Sequence, residues 1–297
     1  MYAHKAIESI QSFFKNEDEN LFEVDFFDSS LAHLQSCPKY HFEKIENIVT
    51  QTLRTNDLFQ GEYGQDVRLP YPVCWFDYCK ENGERVGLLL TELGASNMFQ
   101  GSAKTLQMEL FIAYPKQDVF ITNPLNIHIG DEDEINNIVK HYNQYTEENY
   151  HHQKLNEKII ISWSDGGVKS KEEFDVLYTE ATQEIKNLNA CLLLLSCKNI
   201  ETIDNQPSEK LNKKRIKKNK TPLCSYKTLQ VVLPKSSNAK NRQQIVTQKQ
   251  NSPRTHLCAG HFKIYTHEKP LFGKHTGRYW WQPHLRGDDK KGFLFLI

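Results

Sequence analysis

Ala6, Ile7, Ile10, Phe13 and Phe14 recur at steps of three and four, the spacing that lines one face of a helix, so the chain is predicted to open with an amphipathic helix. Phe42, Ile45, Val49 and Leu53 mark a second helix. The period then changes. Val73 to Tyr78 is rich in aromatics, Glu81-Asn82-Gly83-Glu84 contains the Asn-Gly hairpin signal, and Val86 to Leu93 returns as the partner strand. Thr105 to Ala113 and Val119 to Thr122 extend this into an antiparallel meander. Glu132 to Tyr150 reads as an exposed helix, and its acidic start, Asp131-Glu132-Asp133-Glu134, suits the positive end of the helix dipole. Ile159 to Trp163 is a short buried strand stopped by Asp165-Gly166-Gly167. The clearest helix follows. Ser170 and Glu173 stand at capping-box spacing, and Phe174, Leu177, Ala181, Ile185 and Leu188 make an apolar stripe that ends near Leu195. That stripe is core material.

Asn205 to Pro222 breaks the pattern with many lysines and almost no apolar residues. Leu223 to Leu233 alternates at Leu229, Val231 and Leu233, as a strand does, and Pro234 to Pro253 is a polar loop. Phe262 to Tyr265, Tyr279 to Trp281 and Phe293 to Ile297 are strand-like. The expected fold is α+β: helices packed on an antiparallel meander, with a small β-rich C-terminal module that adds strands to the sheet or forms a small barrel against it. The boundaries read as an acidic α+β domain at 1–204, a basic linker at 205–222 and a basic, His- and aromatic-rich β module at 223–297, with the 170–195 helix buried between the two domains.

Charge sharpens this division. The 297 residues hold 37 basic and 37 acidic side chains, yet residues 205–297 carry 20 basic and four acidic ones, leaving the front with a matching acidic excess. Such asymmetry points to a polyanion partner for the basic part. It also fits two halves that neutralise each other across an internal contact. The seven cysteines include no Cys-x-x-Cys pair, which reads as reduced thiols in a cytoplasm rather than a disulfide framework. No apolar run approaches the roughly 20 residues that span a bilayer, and Met1-Tyr2-Ala3-His4-Lys5 leads into a helical pattern rather than a signal peptide. No membrane association is expected. With no phosphate-binding Gly-Lys-Ser/Thr loop and no dinucleotide fingerprint, no cofactor is expected either.

Candidate chemistry concentrates in Arg254 to Gly287, which holds five of the twelve histidines and two of the four tryptophans. Metal-independent cleavage of a phosphodiester needs a base for the attacking hydroxyl, an acid for the leaving oxygen and cations for the phosphorane. His256 and His261 supply the acid–base pair, because imidazole titrates near neutrality. Arg254, Lys263, Arg278 and Arg286 supply the cations. Tyr265, Trp280 and Trp281 are candidates to stack on unpaired bases. Lys213, Lys214, Arg215, Lys217, Lys218 and Lys220 form a run that attracts phosphates, although a solvated linker has the same composition. Two other readings stay open. His256, Cys258 and His261, completed by His267 or His284, have zinc-ligand chemistry in a non-standard spacing. Equally, Phe262, Phe272, Tyr279 and Trp281 fit the core of a small barrel, with tight turns at Gly260, Gly273, Gly277 and Gly287.

The tail pattern Arg254-x-His256, Gly260-His261-Phe262-Lys263-x-Tyr265, Pro270-Leu271-Phe272-Gly273 and Gly277-x-Tyr279-Trp280-Trp281-x-Pro283-His284-x-Arg286-Gly287 resembles the C-terminal module of uncharacterised bacteriophage and mobile-element proteins. Lys210-Leu211-Asn212-Lys213-Lys214-Arg215, Lys220-Thr221-Pro222 and Tyr226 resemble the approach to that module. The likeness covers about residues 205–288; Cys258-Ala259-Gly260 replaces a more basic tripeptide. It implies a phage or prophage origin in a bacterial cytoplasm and brings no activity with it. The functional expectation is action on nucleic acid, RNA favoured, by paired-histidine cleavage without metal. The alternative is a non-enzymatic protein that binds nucleic acid or a host protein.

Overall fold

Gly83 has φ +88°, the left-handed conformation that an Asn-Gly hairpin turn requires, and the strands on either side of it are the centre of the sheet. The computed structural model describes residues 2–13, 21–43, 45, 68–93, 105–116, 119–123, 125–145, 150–164, 167–234, 254–286 and 288–293. In chain order these form α1 (Ala3–Phe13), α2 (Leu21–Ser36), β1 (Lys39–Phe42), β2 (Val73–Cys79), β3 (Arg85–Leu93), β4 (Thr105–Ala113), β5 (Ile121–Thr122) and β6 (Asn126–Ile129). There follow α3 (Glu132–Tyr145), β7 (Tyr150–Asn156), β8 (Ile159–Ser164), α4 (Lys171–Leu195), β9 (Ile200–Asn205), α5 (Glu209–Ile216) and β10 (Tyr226–Val231). The tail adds β11 (Arg254–Cys258), β12 (His261–Tyr265), β13 (Gly277–Trp281), β14 (His284–Arg286) and β15 (Asp288–Phe293).

The main sheet has ten strands in the order β7-β8-β6-β4-β3-β2-β1-β10-β9, with β5 on β4. It is antiparallel except where β1 runs parallel to β2 and to β10. Alternation along β2 divides its side chains between two cores. Cys74, Phe76 and Tyr78 join Leu88, Leu90, Met108 and Leu110 beneath α4, whose Ala181, Ile185 and Leu188 complete that layer. Trp75 faces the other way, with Leu89 and Phe111, against Ala3, Ala6, Ile7 and Ile10 of α1 and Leu34 of α2. Each such aliphatic or Phe side chain contributes about 1.5–3 kcal/mol relative to exposure. Trp75 lies across Gly87, where a Cβ would stand 2.1 Å from its ring, so residue 87 has to be glycine.

The α+β class is present, with a mixed sheet rather than a pure meander. The capping box of α4 is formed: Ser170 Oγ accepts the Glu173 amide at 3.1 Å, while the Glu173 carboxylate accepts the Lys169 amide at 2.8 Å. Phe42 belongs to β1 and not to a helix; Val49 and Leu53 lie outside the described residues, as do 235–253 and 294–297. The basic stretch after residue 205 is not an open linker, because it folds as α5. β10 lies inside the main sheet between β1 and β9, so the expected border between front and tail cuts through one sheet.

Candidate nucleic-acid interface

Helix α5 forms because Glu209 lies in its first turn and Lys213, Lys214 and Arg215 in its last, each matched to the helix dipole. The chain then folds back on it. Asn212 Nδ2 donates to the Leu223 carbonyl at 3.0 Å and its Oδ1 accepts the Leu223 amide at 2.8 Å. Arg215 donates through Nε to the Thr221 carbonyl at 2.7 Å and pairs with Glu8 of α1 at 2.9 Å. Arg215 is therefore an internal anchor. Lys213 meets Glu209 at 3.7 Å, an exposed i,i+4 pair. Among the described residues, Lys210, Lys214, Lys217, Lys218 and Lys220 are exposed with no carboxylate in ion-pair range. A shallow cavity of about 320 Å³ opens on α5, with Ile216, Leu223 and Pro207 as its apolar wall and Asn212, Ser225, Lys213 and the Glu209 carboxylate among its polar groups.

The tail forms a β11–β14 ladder, with β15 on the other side of β11, and a β12–β13 ladder, and these two ladders keep one register. His256 pairs with Arg286 and Cys258 with His284 on β11–β14; His261 pairs with Trp281 and Tyr265 with Gly277 on β12–β13. The paired numbers keep the same sum, so no residue is gained or lost across the break at Ala259-Gly260 and Gln282-Pro283. Pro283 has no amide for the ladder, and Gly260 lies under Trp280 and Pro283, where a Cβ would be 2.8 Å and 3.0 Å from their rings. Alternation then fixes the faces. His256, Cys258, His284 and Arg286 share one face of β11–β14; His261 lies beyond the break, on the separate β12–β13 ladder.

The expected site residues therefore separate. Trp280 is 4 % exposed and packs on Phe262 at 4.7 Å between ring centroids, so it belongs to the core and offers no face to a base. Trp281 is half-buried. Arg278 donates to Ser196 Oγ at 2.6 Å at the end of α4, which makes it an anchor rather than a phosphate holder. Lys263 lies 4.8 Å from the Tyr265 ring centroid, and Tyr265 packs edge-on against Tyr279. Arg254 begins β11, opposite Asp288 of β15. Both His261 and His284 direct Nδ1 at the carbonyl two residues earlier, at 3.2 Å and 3.1 Å. A carbonyl only accepts, so Nδ1 is the donor in each of these bonds.

The expected single basic face does not form. Helix α5 is tied to α1, on the Trp75 side of the sheet. The ribbon is tied to the end of α4 and shares the core on the opposite side through Phe262 and Trp280.

Sequence reasoning missed two polar constellations. Asp77, fully buried on β2, accepts His41 Nδ1 at 2.6 Å, Trp75 Nε1 at 2.8 Å and the Tyr2 amide at 2.7 Å. The partners are spread over 75 positions, and only the parallel pairing of β1 with β2 sets His41 beside Asp77. Glu184, inside the apolar stripe of α4, pairs with Lys80 at 2.7 Å and accepts from Tyr78 Oη and from Asn187 at 2.7 Å. Burial opposes the Lys80 charge, but Glu184 and Glu84 outweigh it and its pKa is raised. Both sets lie in the interior; in the Glu184 set the Asn187 Oδ1 has no hydrogen-bond partner among the described residues.

Among the described residues, no three His, Cys, Asp or Glu side chains are grouped to hold a metal ion. No helix among them is long and apolar enough to cross a membrane. Neither a family model, nor a characterised protein, nor a solved structure matches the chain.

Proposed function

We propose that the protein binds single-stranded RNA through the lysine surface of α5 and the turn that follows it. The observation that carries this is the set of exposed lysines at 210, 214, 217, 218 and 220 that have no carboxylate partner among the described residues and stand on a folded scaffold. Among the described residues of the acidic front half, Arg215 of this run finds a carboxylate, Glu8. Cations kept clear of internal partners favour phosphates by counterion release. The adjoining cavity, with Ile216 57 % exposed on its wall, suits an unstacked base and favours a single strand over a duplex. The likeness of the tail to phage and mobile-element modules supports a prophage setting, and hence a bacterial cytoplasm. Cleavage by His256 with His261 is not part of this reading, because the two lie on different ladders separated by the break at Ala259-Gly260.

The test is fluorescence anisotropy with labelled single-stranded RNA across a salt series. Wild-type affinity falls steeply with salt. Replacing Lys214, Lys217, Lys218 and Lys220 with Gln reduces the log–log slope by about 3, since each phosphate contact to a single strand contributes about 0.7. Binding that ignores salt, or a quadruple variant with the wild-type slope, sinks the proposal.

A further inference from the structure

We infer that the β11–β14 face of the tail ribbon is a metal-independent RNA-cleaving site in which His284, and not His261, is the partner of His256. The inference rests on RNA being the bound polymer.

Register carries the argument. Arg286 stands directly opposite His256, and His284 directly opposite Cys258, so His256 and His284 are diagonal neighbours on one face of an antiparallel pair. Diagonal neighbours lie roughly 7–8 Å apart, against about 5 Å for residues directly opposite. That spacing leaves room for one phosphate between two imidazoles, with the Arg286 guanidinium flanking it. His284 and Arg286 are exposed and His256 is half-buried, so a polymer has access. The bond that His284 Nδ1 donates to the Gln282 carbonyl, 3.1 Å, occupies that nitrogen and leaves Nε2 as the one to act on the substrate. The Gly260–Pro283 break locks this geometry, because the ladder on its far side is anchored to the core by Phe262 and Trp280.

The chemistry balances without a co-reactant. His284 Nε2 takes the proton of a ribose 2′-hydroxyl, and the 2′-oxygen attacks the adjacent phosphorus. Arg286 donates to the non-bridging oxygens as negative charge gathers on them. The bond from phosphorus to the 5′-oxygen breaks, and protonated His256 gives that oxygen its proton. The products are a 2′,3′-cyclic phosphate and a 5′-hydroxyl end, and each histidine leaves in the protonation state the other began with. DNA lacks the nucleophile and is not a substrate.

The experiment incubates the full-length protein with end-labelled single-stranded RNA in chelator and identifies the product ends. Binding to the same sequence made of 2′-O-methyl RNA is measured in parallel. Expected are 2′,3′-cyclic phosphate ends, no cut at a single 2′-deoxy position, a loss of about a hundredfold or more in His256→Gln and in His284→Gln, and a rate within about twofold of wild type in His261→Gln. Both slow variants keep wild-type affinity for 2′-O-methyl RNA, which shows them folded. The inference is overturned by wild-type protein that binds 2′-O-methyl RNA and does not cut RNA, by cutting that depends on a metal, or by loss of cutting in His261→Gln with His284→Gln active. Absence of binding as well overturns the RNA-binding reading with it.

Discussion

Asn199 grips Trp280 by both of that residue's backbone polar groups: its Nδ2 donates to the Trp280 carbonyl at 2.8 Å and its Oδ1 accepts the Trp280 amide at 2.9 Å. Asn199 is 2 % exposed, and its own carbonyl accepts the Val232 amide at 2.8 Å. One side-chain amide thus replaces a missing neighbour strand and joins the tail ribbon to the corner between α4 and β9. Asn199→Leu leaves two buried backbone groups unpaired. A loss of about 2–4 kcal/mol in denaturant unfolding is expected. Unchanged stability would show that the ribbon is not held there.

Trp280 and Trp281 are adjacent, yet substitutions at the two should behave differently. Trp280 fills the core against Phe262 and lies over Gly260, so Trp280→Ala is expected to lower stability by about 3–5 kcal/mol. Trp281 is half-buried, and Trp281→Ala should do less damage. Thermal melts of the two variants decide this. An equal and small effect would return Trp280 to the surface and to base stacking.

Much of the fold was legible because it rests on local signals. The Asn82-Gly83 turn, the Ser170–Glu173 cap, the aromatic run of β2 and the alternation of β10 each follow from residues within a few positions of one another. What stayed hidden is set by long-range pairing. Nothing near His41 announces that β1 will run parallel to β2 and bring Asp77 to it. Nothing in the lysine run announces that Arg215 will reach Glu8, 207 positions earlier. The histidine pairing failed for a related reason. Counting His256 and His261 as neighbours in sequence ignored the break at Ala259-Gly260, which puts them on different ladders. His284 was visible as a zinc-ligand type, but its place beside His256 depends on the ribbon register.

Arg215 and Lys218 separate fold from binding within one short stretch. Arg215 is half-buried with two partners, so Arg215→Gln is expected to cost about 1–2 kcal/mol of stability by detaching α5 from α1. Lys218 is exposed without an ion-pair partner among the described residues, so Lys218→Gln should change stability by less than about 0.5 kcal/mol while weakening RNA binding. Unfolding curves and anisotropy titrations on both variants test the contrast. Equal effects on both measurements would show that the two cations are not divided in this way.

Glu109 on β4 is 7 % exposed, and its carboxylate accepts one hydrogen bond, from the buried Ser30 hydroxyl at 2.7 Å. Burial pushes its pKa up to about 7, against the partial pull of Ser30 the other way. The unfolded chain gives up this proton near 4.5, whereas the folded one keeps it to about 7. The contribution of Glu109 to stability is therefore complete below 4.5 and is lost as pH rises to 7, in all about 3 kcal/mol at 1.36 kcal/mol per pH unit. His128 runs the other way. Its burial lowers the imidazole pKa from 6.5 to about 4, so its contribution is complete above 6.5 and is lost as pH falls towards 4. A pH–stability curve of wild type alone mixes the two slopes, so Glu109 has to be isolated by difference. Gln keeps the shape and the acceptor for Ser30 but cannot ionise. The stability of Glu109→Gln relative to wild type should rise by about 3 kcal/mol from pH 4.5 to 7 and then level off, whatever the histidines do. Denaturant unfolding of both proteins at half-unit steps measures it. A difference that stays constant with pH would mean that Glu109 ionises near its ordinary value, with water reaching it inside the sheet.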